Sequence, residues 1–332
     1  MLEKFLLSNQ KIVGCLNKDY GLEVAALSFL PIGADMNASV YKAKAHNHSY
    51  FVKLKRGHHD DIGLILLALL HEAGIKEIIP PVKTVRGKLT QNVDDFTLIV
   101  YPFVEGQDAF SRHLTNDQWF TLGKVVRQIH EFEVPIAIQA RIRRETYSTK
   151  WRKIVHSLLL DMGKNTNRDE TAIKLLSFMK DHKTEIERLV HRADELAKKI
   201  QEESPKFVLC HSDIHGGNVL VDEKNHLYIV DWDEPIMAPK ERDLMFIGGG
   251  VANVWNLPHE EEFFYKGYGK AEINREILAY YRHERIVEDI AIYGQTLLLS
   301  AIGGEDRLEM YKQFIAMFVP RGVVEIAFKT DA

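Results

Sequence analysis

Between residues 211 and 231 the chain reads His211-Ser212-Asp213-Ile214-His215-Gly216-Gly217-Asn218 and then, after two short apolar stretches, Asp231-Trp232-Asp233. Asp213, Asn218 and Asp231 are hard oxygen donors, and the last two lie five and eighteen residues after the first. Such a set suits phosphoryl transfer, which needs an acceptor hydroxyl held in line and Mg2+ to neutralise phosphate charge. In that plan Asp213 takes or orients the hydroxyl proton, while Asn218 and Asp231 hold the metal. Gly216 and Gly217 allow a tight turn between base and ligand. The same residue types also populate ordinary surface turns. The phosphoryl-transfer reading is favoured by the position of the loop between apolar stretches and by the second carboxylate at the end of the next one. Asp233 remains open between metal ligand, substrate contact and solvated loop residue.

The elements that must position this loop are strands at 207–210, 219–221 and 227–230. A site of this kind also needs a strand lysine for the phosphates and a helix glutamate to orient it. Residues 24–30, 38–45 and 49–55 read as antiparallel strands, broken by Pro31, Gly33 and the polar 46–48. In Phe51-Val52-Lys53-Leu54-Lys55 the period of two puts both lysines on one face and Val52 and Leu54 on the other, and Lys53 is the candidate for the phosphates. The next helix starts at Asp60 or Asp61, runs through the apolar 64–70 and stops at Gly74. Glu72, near its end, is the candidate partner of Lys53. Further strands at 81–85 and 96–101 lead into Pro102-Phe103-Val104-Glu105-Gly106, where the chain turns. The adenine is expected against this connection, beside Tyr101 and Phe103, with Gly33 in the loop over the phosphates. That loop, 32–39, has a single glycine, and its Asp35 either faces a cationic substrate or caps the turn.

Beyond residue 106, Thr115 opens an amphipathic helix through Trp119, Leu122, Val125, Val126 and Ile129. The charge-rich 145–205 is helical in period, and helical period returns after residue 231. The chain thus reads as α+β with two lobes, as its 332 residues suggest. Residues 1–105 form a nucleotide-binding lobe of antiparallel sheet plus helix. Residues 106–332 form a larger, mainly helical lobe for catalysis and substrate, with 145–205 as a helical insert. The longest apolar run, 64–70, is too short for a membrane span. Two cysteines, Cys15 and Cys210, imply reduced thiols, and a cytoplasmic monomer is expected. A net charge of −4 argues against nucleic acid as a partner. Residues 201–332, however, hold 23 acids against 13 bases, a balance of −10 that leaves +6 for the rest. Those acids either attract a cation or form solvated helix faces.

Residues 211–221, H-S-D-I-H-G-G-N-V-L-V, together with I-V-D-W-D-E at 229–234 and E-R-D-L at 241–244, resemble the aminoglycoside phosphotransferase family. His215, where protein kinases usually carry lysine, favours that family, as does the interval of twelve residues from Asp231 to Asp243. The resemblance implies a two-lobed protein-kinase-like fold, with Asp213 catalytic, Asn218 and Asp231 on magnesium, and Lys53 with Glu72 positioning the phosphates. It implies ATP as nucleotide, with GTP as the alternative. The acceptor would be a hydroxyl on a cationic aminocyclitol or aminoglycoside antibiotic. Candidate substrate contacts are then Asp213 and Asp233, with Asp35 and the helix acids Glu284, Glu288 and Asp289 for cationic groups and Trp255, Tyr265 and Tyr268 as an aromatic wall. Against these stand core packing for the aromatics and ion pairs with Arg282 and Arg285 for the helix acids. Two other functions fit the motif: a metabolic kinase acting on choline, a hydroxylated amino acid or a sugar, and a nucleotide-binding scaffold without turnover.

Overall fold

The structure is a computed structural model that describes residues 4–33, 37–46, 48–57, 60–161, 169–300 and 306–330. The chain begins with α1 (Asn9–Tyr20), β1 (Val24–Leu30), β2 (Ala38–Ala45), β3 (His48–Arg56), α2 (Ile62–Glu72), β4 (Gln91–Val93), β5 (Phe96–Pro102) and β6 (Gly106–Asp108). It continues through α3 (Asn116–Glu131), α4 (Ile136–Gln139), β7 (Arg143–Arg144), α5 (Lys150–Asp161), α6 (Glu170–Asp181) and α7 (Lys183–Glu203). Then come β8 (Val208–Cys210), β9 (Val219–Asp222), β10 (Leu227–Ile229), β11 (Ile236–Ala238) and α8 (Glu241–Leu244). Four helices close the chain: α9 (Pro258–Tyr268), α10 (Arg275–Leu299), α11 (Asp306–Ala316) and α12 (Val323–Thr330). These elements divide into two units. The first holds Met1–Arg112, Pro135–Arg141 and Gly217–Pro235, and the second holds His113–Val134, Ile142–Gly216 and Ile236–Ala332. The candidate motif is therefore split, with Asp213 in the second unit and Asn218, Asp231 and Asp233 in the first.

In the first unit the alternating residues build an antiparallel sheet in the order β1-β2-β3-β5-β4. Val52 and Leu54 are fully buried with Tyr41, Leu98 and Val100 and with Ile12 and Leu16 of α1. Period two then sends Lys53 and Lys55 to the opposite face, with Lys53 paired between Val40 and Ile99. The strand expected at 81–85 is not one. Pro80 and Pro81 have no N–H to give a ladder; Val82 N reaches β5 at Val100 O at 2.7 Å, but Thr84 N turns back to Lys88 O and Val85 N goes to Asp19 O, each at 2.8 Å. The short β4 and β6 escaped notice in the sequence. A second sheet, β10-β9-β6, pairs Val219 with Ile229 and Val221 with Leu227.

Helix α2 begins where the Asp60 carboxylate accepts the Ile62 N–H at 3.0 Å, and its end is marked by Gly74 at φ 93°. Its first turn lies against the segment that carries Asp231. A Cβ on Gly63 would stand 2.1 Å from the carbonyl oxygen of Trp232. Gly63→Ala is therefore expected to cost about 1–3 kcal/mol through overpacking and to raise the KM for nucleotide, as the Asp231–Asp233 segment is pushed aside. Thermal melts and nucleotide titration check this; an unchanged Tm and KM would show that the segment yields freely.

In the second unit α3 opens with a capping box between Thr115 and Gln118 and packs on α9, where Gly123 lets the backbones touch. A core around Val155, Leu175, Ile186, Leu189, Ile290 and Phe314 joins α5, α6, α7, α10 and α11. Strand β8 pairs with β11, and β11 with β7, so β8 belongs to a different sheet from β9 and β10. Cys15 and Cys210 are both free and buried. Among the described residues no helix is long and apolar enough to cross a membrane.

Candidate active site

In the first unit strand register brings the backbone of Asn218 within one residue of Asp231. Pairing of Val219 with Ile229 places Asn218 opposite Val230, whose N–H donates to the Asn218 carbonyl at 3.0 Å. Asp231 is the next residue and has a left-handed φ of 64°, a strained conformation for a non-glycine residue that turns the chain sharply at the strand end. Its carboxylate accepts from Lys53 Nζ at 2.8 Å. Asp233 accepts from Lys53 at 2.7 Å and from Lys55 at 2.8 Å. Burial alone would make the Lys53 ammonium easier to deprotonate, but the charges of Asp231 and Asp233 outweigh it and hold the lysine firmly protonated. Asp233, also buried against its preference, is kept below the usual carboxylate range by the two lysines.

The expected partner of Lys53, Glu72, is exposed at the last position of α2, and the carboxylates that meet Lys53 are Asp231 and Asp233. Lys53 is thus paired with carboxylates of the strand end and not with Glu72 of the helix. Tyr101, on β5 beside β3, is buried enough to keep its phenol protonated. Phe103 lies under the Lys42 ammonium, 4.1 Å from the ring centroid, and Gly33 has φ 94°. Asp35 falls outside the described residues.

In the second unit the loop after β8 is held from below by Asp243. This fully buried carboxylate accepts the backbone N–H of His211 at 3.0 Å and of Ser212 at 2.7 Å. Ser212 has φ 77°, so the loop is clamped in a strained turn immediately before Asp213. His130 Nε2 donates to Asp243 at 3.0 Å, and the Tyr268 hydroxyl donates to His130 Nδ1 at 2.8 Å. Burial would raise the Asp243 carboxyl, but these donors hold it below the ordinary value. Cys210 joins His130 and Asp243 in a cluster of would-be metal ligands, but its thiol donates to backbone carbonyls and the other two are engaged with each other. The cluster is a scaffold.

Asp213 itself has both oxygens engaged. Arg285 Nη1 donates to Oδ1 at 2.7 Å, and His215 Nε2 reaches Oδ2 at 3.3 Å. Burial works against its charge, yet His215 and Arg285 prevail and hold the carboxyl well below its usual range. Such an ionised group accepts a hydrogen bond from an alcohol and has little strength as a base.

Three of the remaining substrate candidates are elsewhere employed. Trp255 is 4% exposed, packed edge-on against Trp119 with centroids 4.9 Å apart, and Tyr268 is 2% exposed beneath His130. Both belong to the core, because their rings complete the contact of α3 with α9 and its flanks. Glu284 faces Arg152 at 3.1 Å, and burial pushes its carboxyl up to about 7 against the pull of Arg152. The folded protein holds this proton more tightly than the unfolded chain, so stability falls as pH rises from about 4.5 through about 7. Glu284→Gln is expected to be more stable than the parent by about 1–2 kcal/mol at pH 8 and equal to it near pH 4. Urea unfolding at both pH values checks this; a variant weaker at pH 8 would mean that attraction to Arg152 outweighs the burial cost.

Sequence reasoning missed Arg285 as a partner of Asp213, Asp233 as a partner of Lys53, and His130. The last had a signal, a lone histidine on the apolar stripe of α3. The model of the phosphotransferase enzyme family matches residues 28–279. A solved structure of spectinomycin phosphotransferase, APH(9)-Ia, in complex with ADP and spectinomycin, is 50% identical, with a TM-score of 0.94 over 98% of this chain and 99% of that one. The AMP-bound complex of APH(9)-Ia gives 48% identity and a TM-score of 0.89 over 98% and 100%. Protein StrN of Streptomyces griseus is 23% identical over 264 residues, 73% of this chain and 77% of StrN.

Proposed function

Since the chain belongs to the phosphotransferase enzyme family, we propose that it transfers the γ-phosphate of ATP to a hydroxyl of spectinomycin, a reaction that would confer resistance to this antibiotic. The observation that carries this reading is half-identity, over nearly the whole of both chains, to an enzyme seen with ADP and spectinomycin. In this reading the first unit holds nucleotide and the second holds the acceptor. Lys53, fixed by Asp233, would give its ammonium to the phosphates, and Tyr101 and Phe103 would flank the base.

Asn218 and Asp231 fit a magnesium ion. They are hard oxygen donors on residues whose backbones strand pairing brings within one position of each other, and the Asp231 side chain is 46% exposed, open to a ligand from solvent. The ion would neutralise charge on the phosphates. Asp213 would accept the hydrogen bond of the acceptor hydroxyl, orient its oxygen and receive the proton late, as its low basicity requires. The excess of acids over bases after residue 200 would favour a cationic acceptor.

Purified protein should be incubated with ATP, Mg2+ and, separately, spectinomycin, choline, hydroxylated amino acids and sugars. Mass spectrometry is expected to show one phosphoryl group added to spectinomycin. Unmodified spectinomycin beside another phosphorylated acceptor would replace the substrate, and ATP binding with no acceptor modified would favour a scaffold.

A further inference from the structure

Arg285 lies on α10, 72 residues from the loop it reaches, and it makes two connections at once. Its Nη1 holds Oδ1 of Asp213 at 2.7 Å, and its Nε faces both oxygens of Asp289 at 3.2 and 3.3 Å. Asp289 is one turn further along the same helix face. A base placed before an acid at this spacing is the poorer order for stabilising a helix, so the pair is weakly explained as helix support. Its geometry serves the guanidinium instead: Asp289 fixes the stem end while the fork reaches the loop. His215 holds the other oxygen of Asp213 from within the loop. Both holders rest on Phe246, which is 1% exposed. The Arg285 guanidinium carbon lies 5.8 Å from its ring centroid, and the His215 ring lies edge-on at 6.2 Å.

A carboxylate free to rotate about its last bond presents its lone pairs to an acceptor in many directions. Here each oxygen is tethered, and both tethers lean on one buried ring. We infer that Arg285, anchored by Asp289, is a positioning residue that locks the rotation of the Asp213 carboxylate and so fixes the direction from which an acceptor hydroxyl is received. This rests on the reading of Asp213 as the catalytic residue. The effect belongs to the reacting geometry and not to nucleotide affinity.

The test is a double-mutant cycle of Arg285→Met and Asp289→Asn in the full-length protein, with whichever acceptor the parent phosphorylates, reading kcat and the two KM values separately. Arg285→Met keeps the stem on Phe246 and removes the donors. It is expected to lower kcat on the order of 10²-fold, as misplacement of a reacting group does, with the KM for ATP unchanged. Asp289→Asn is expected to lower kcat less, and the double variant to be no slower than Arg285→Met, because Asp289 acts through the arginine. Parental kcat in Arg285→Met, losses that multiply in the double variant, or a loss confined to KM would overturn the inference. If Arg285→Met does not fold, Asp289→Asn decides: a lower kcat at constant KM for ATP upholds the lock, and an unchanged kcat removes it. Asp213→Ala in the same assay separates the two levels. Parental turnover there would overturn the catalytic reading itself, whereas an inactive Asp213→Ala beside a fully active Arg285→Met would overturn only the lock.

Discussion

Replacing Asp213 with alanine is expected to lower kcat by on the order of 10²- to 10⁴-fold while the KM for ATP changes little. The argument is one of role and position. Asp213 is an ionised carboxylate with both oxygens tied, and its backbone stands in a turn clamped by Asp243. The clamp survives the substitution, so the loop should keep its shape. Arg285 keeps Asp289 as a partner, and no fully buried charge is stranded. Loss of rate should therefore appear without loss of folding, which steady-state phosphorylation beside circular dichroism would separate. Because the carboxyl is held well below its usual range, the parent should stay active down to pH values at which an ordinary aspartate is half protonated. A variant with parental turnover would take Asp213 out of the chemistry.

Asp231→Asn should have an effect of similar size, on the order of 10²- to 10³-fold in kcat, with a higher Mg2+ requirement. The substitution preserves shape and removes one charge. Lys53 keeps Asp233, so the strand lysine stays in place and the nucleotide site is not dismantled. What is lost is the exposed anionic oxygen that, with Asn218, would bind the ion. Rate measured against Mg2+ concentration tests this: a curve displaced to higher metal supports the assignment, and a parental curve at a parental rate assigns Asp231 to holding Lys53 alone.

Local pattern explains what was readable beforehand. The alternation through 51–55 put Val52 and Leu54 in the core and both lysines on the other face, as the sheet has them. Thr115, Asp60 and Gly74 marked helix ends because capping chemistry acts over three or four residues. Partners far apart in the chain left no such trace. Period two says that Lys53 faces away from Val52 but not which carboxylate it will find, and it met Asp231 and Asp233, not Glu72. Arg285 and Asp289 look like an ordinary surface pair on a helix until Asp213 is seen beside them. Trp255 and Tyr268 show the converse: aromatic residues near charged ones suggest a binding wall, yet packing against Trp119 and His130 buries them.

The hairpin between β9 and β10 has a wider use. Asn218 and Asp231 owe their adjacency to the pairing of Val219 with Ile229, and the turn at its far end closes on itself, with the Asp222 carboxylate accepting the N–H groups of Lys224 and His226. Lengthening the tip would leave the two oxygen donors where they are, whereas slipping one strand by a single residue would separate them. Genome searches for further members of this phosphotransferase family should therefore leave the number of residues between asparagine and aspartate unspecified and demand matched strands on either side. The tip is equally a natural place to splice in a reporter epitope without silencing the enzyme.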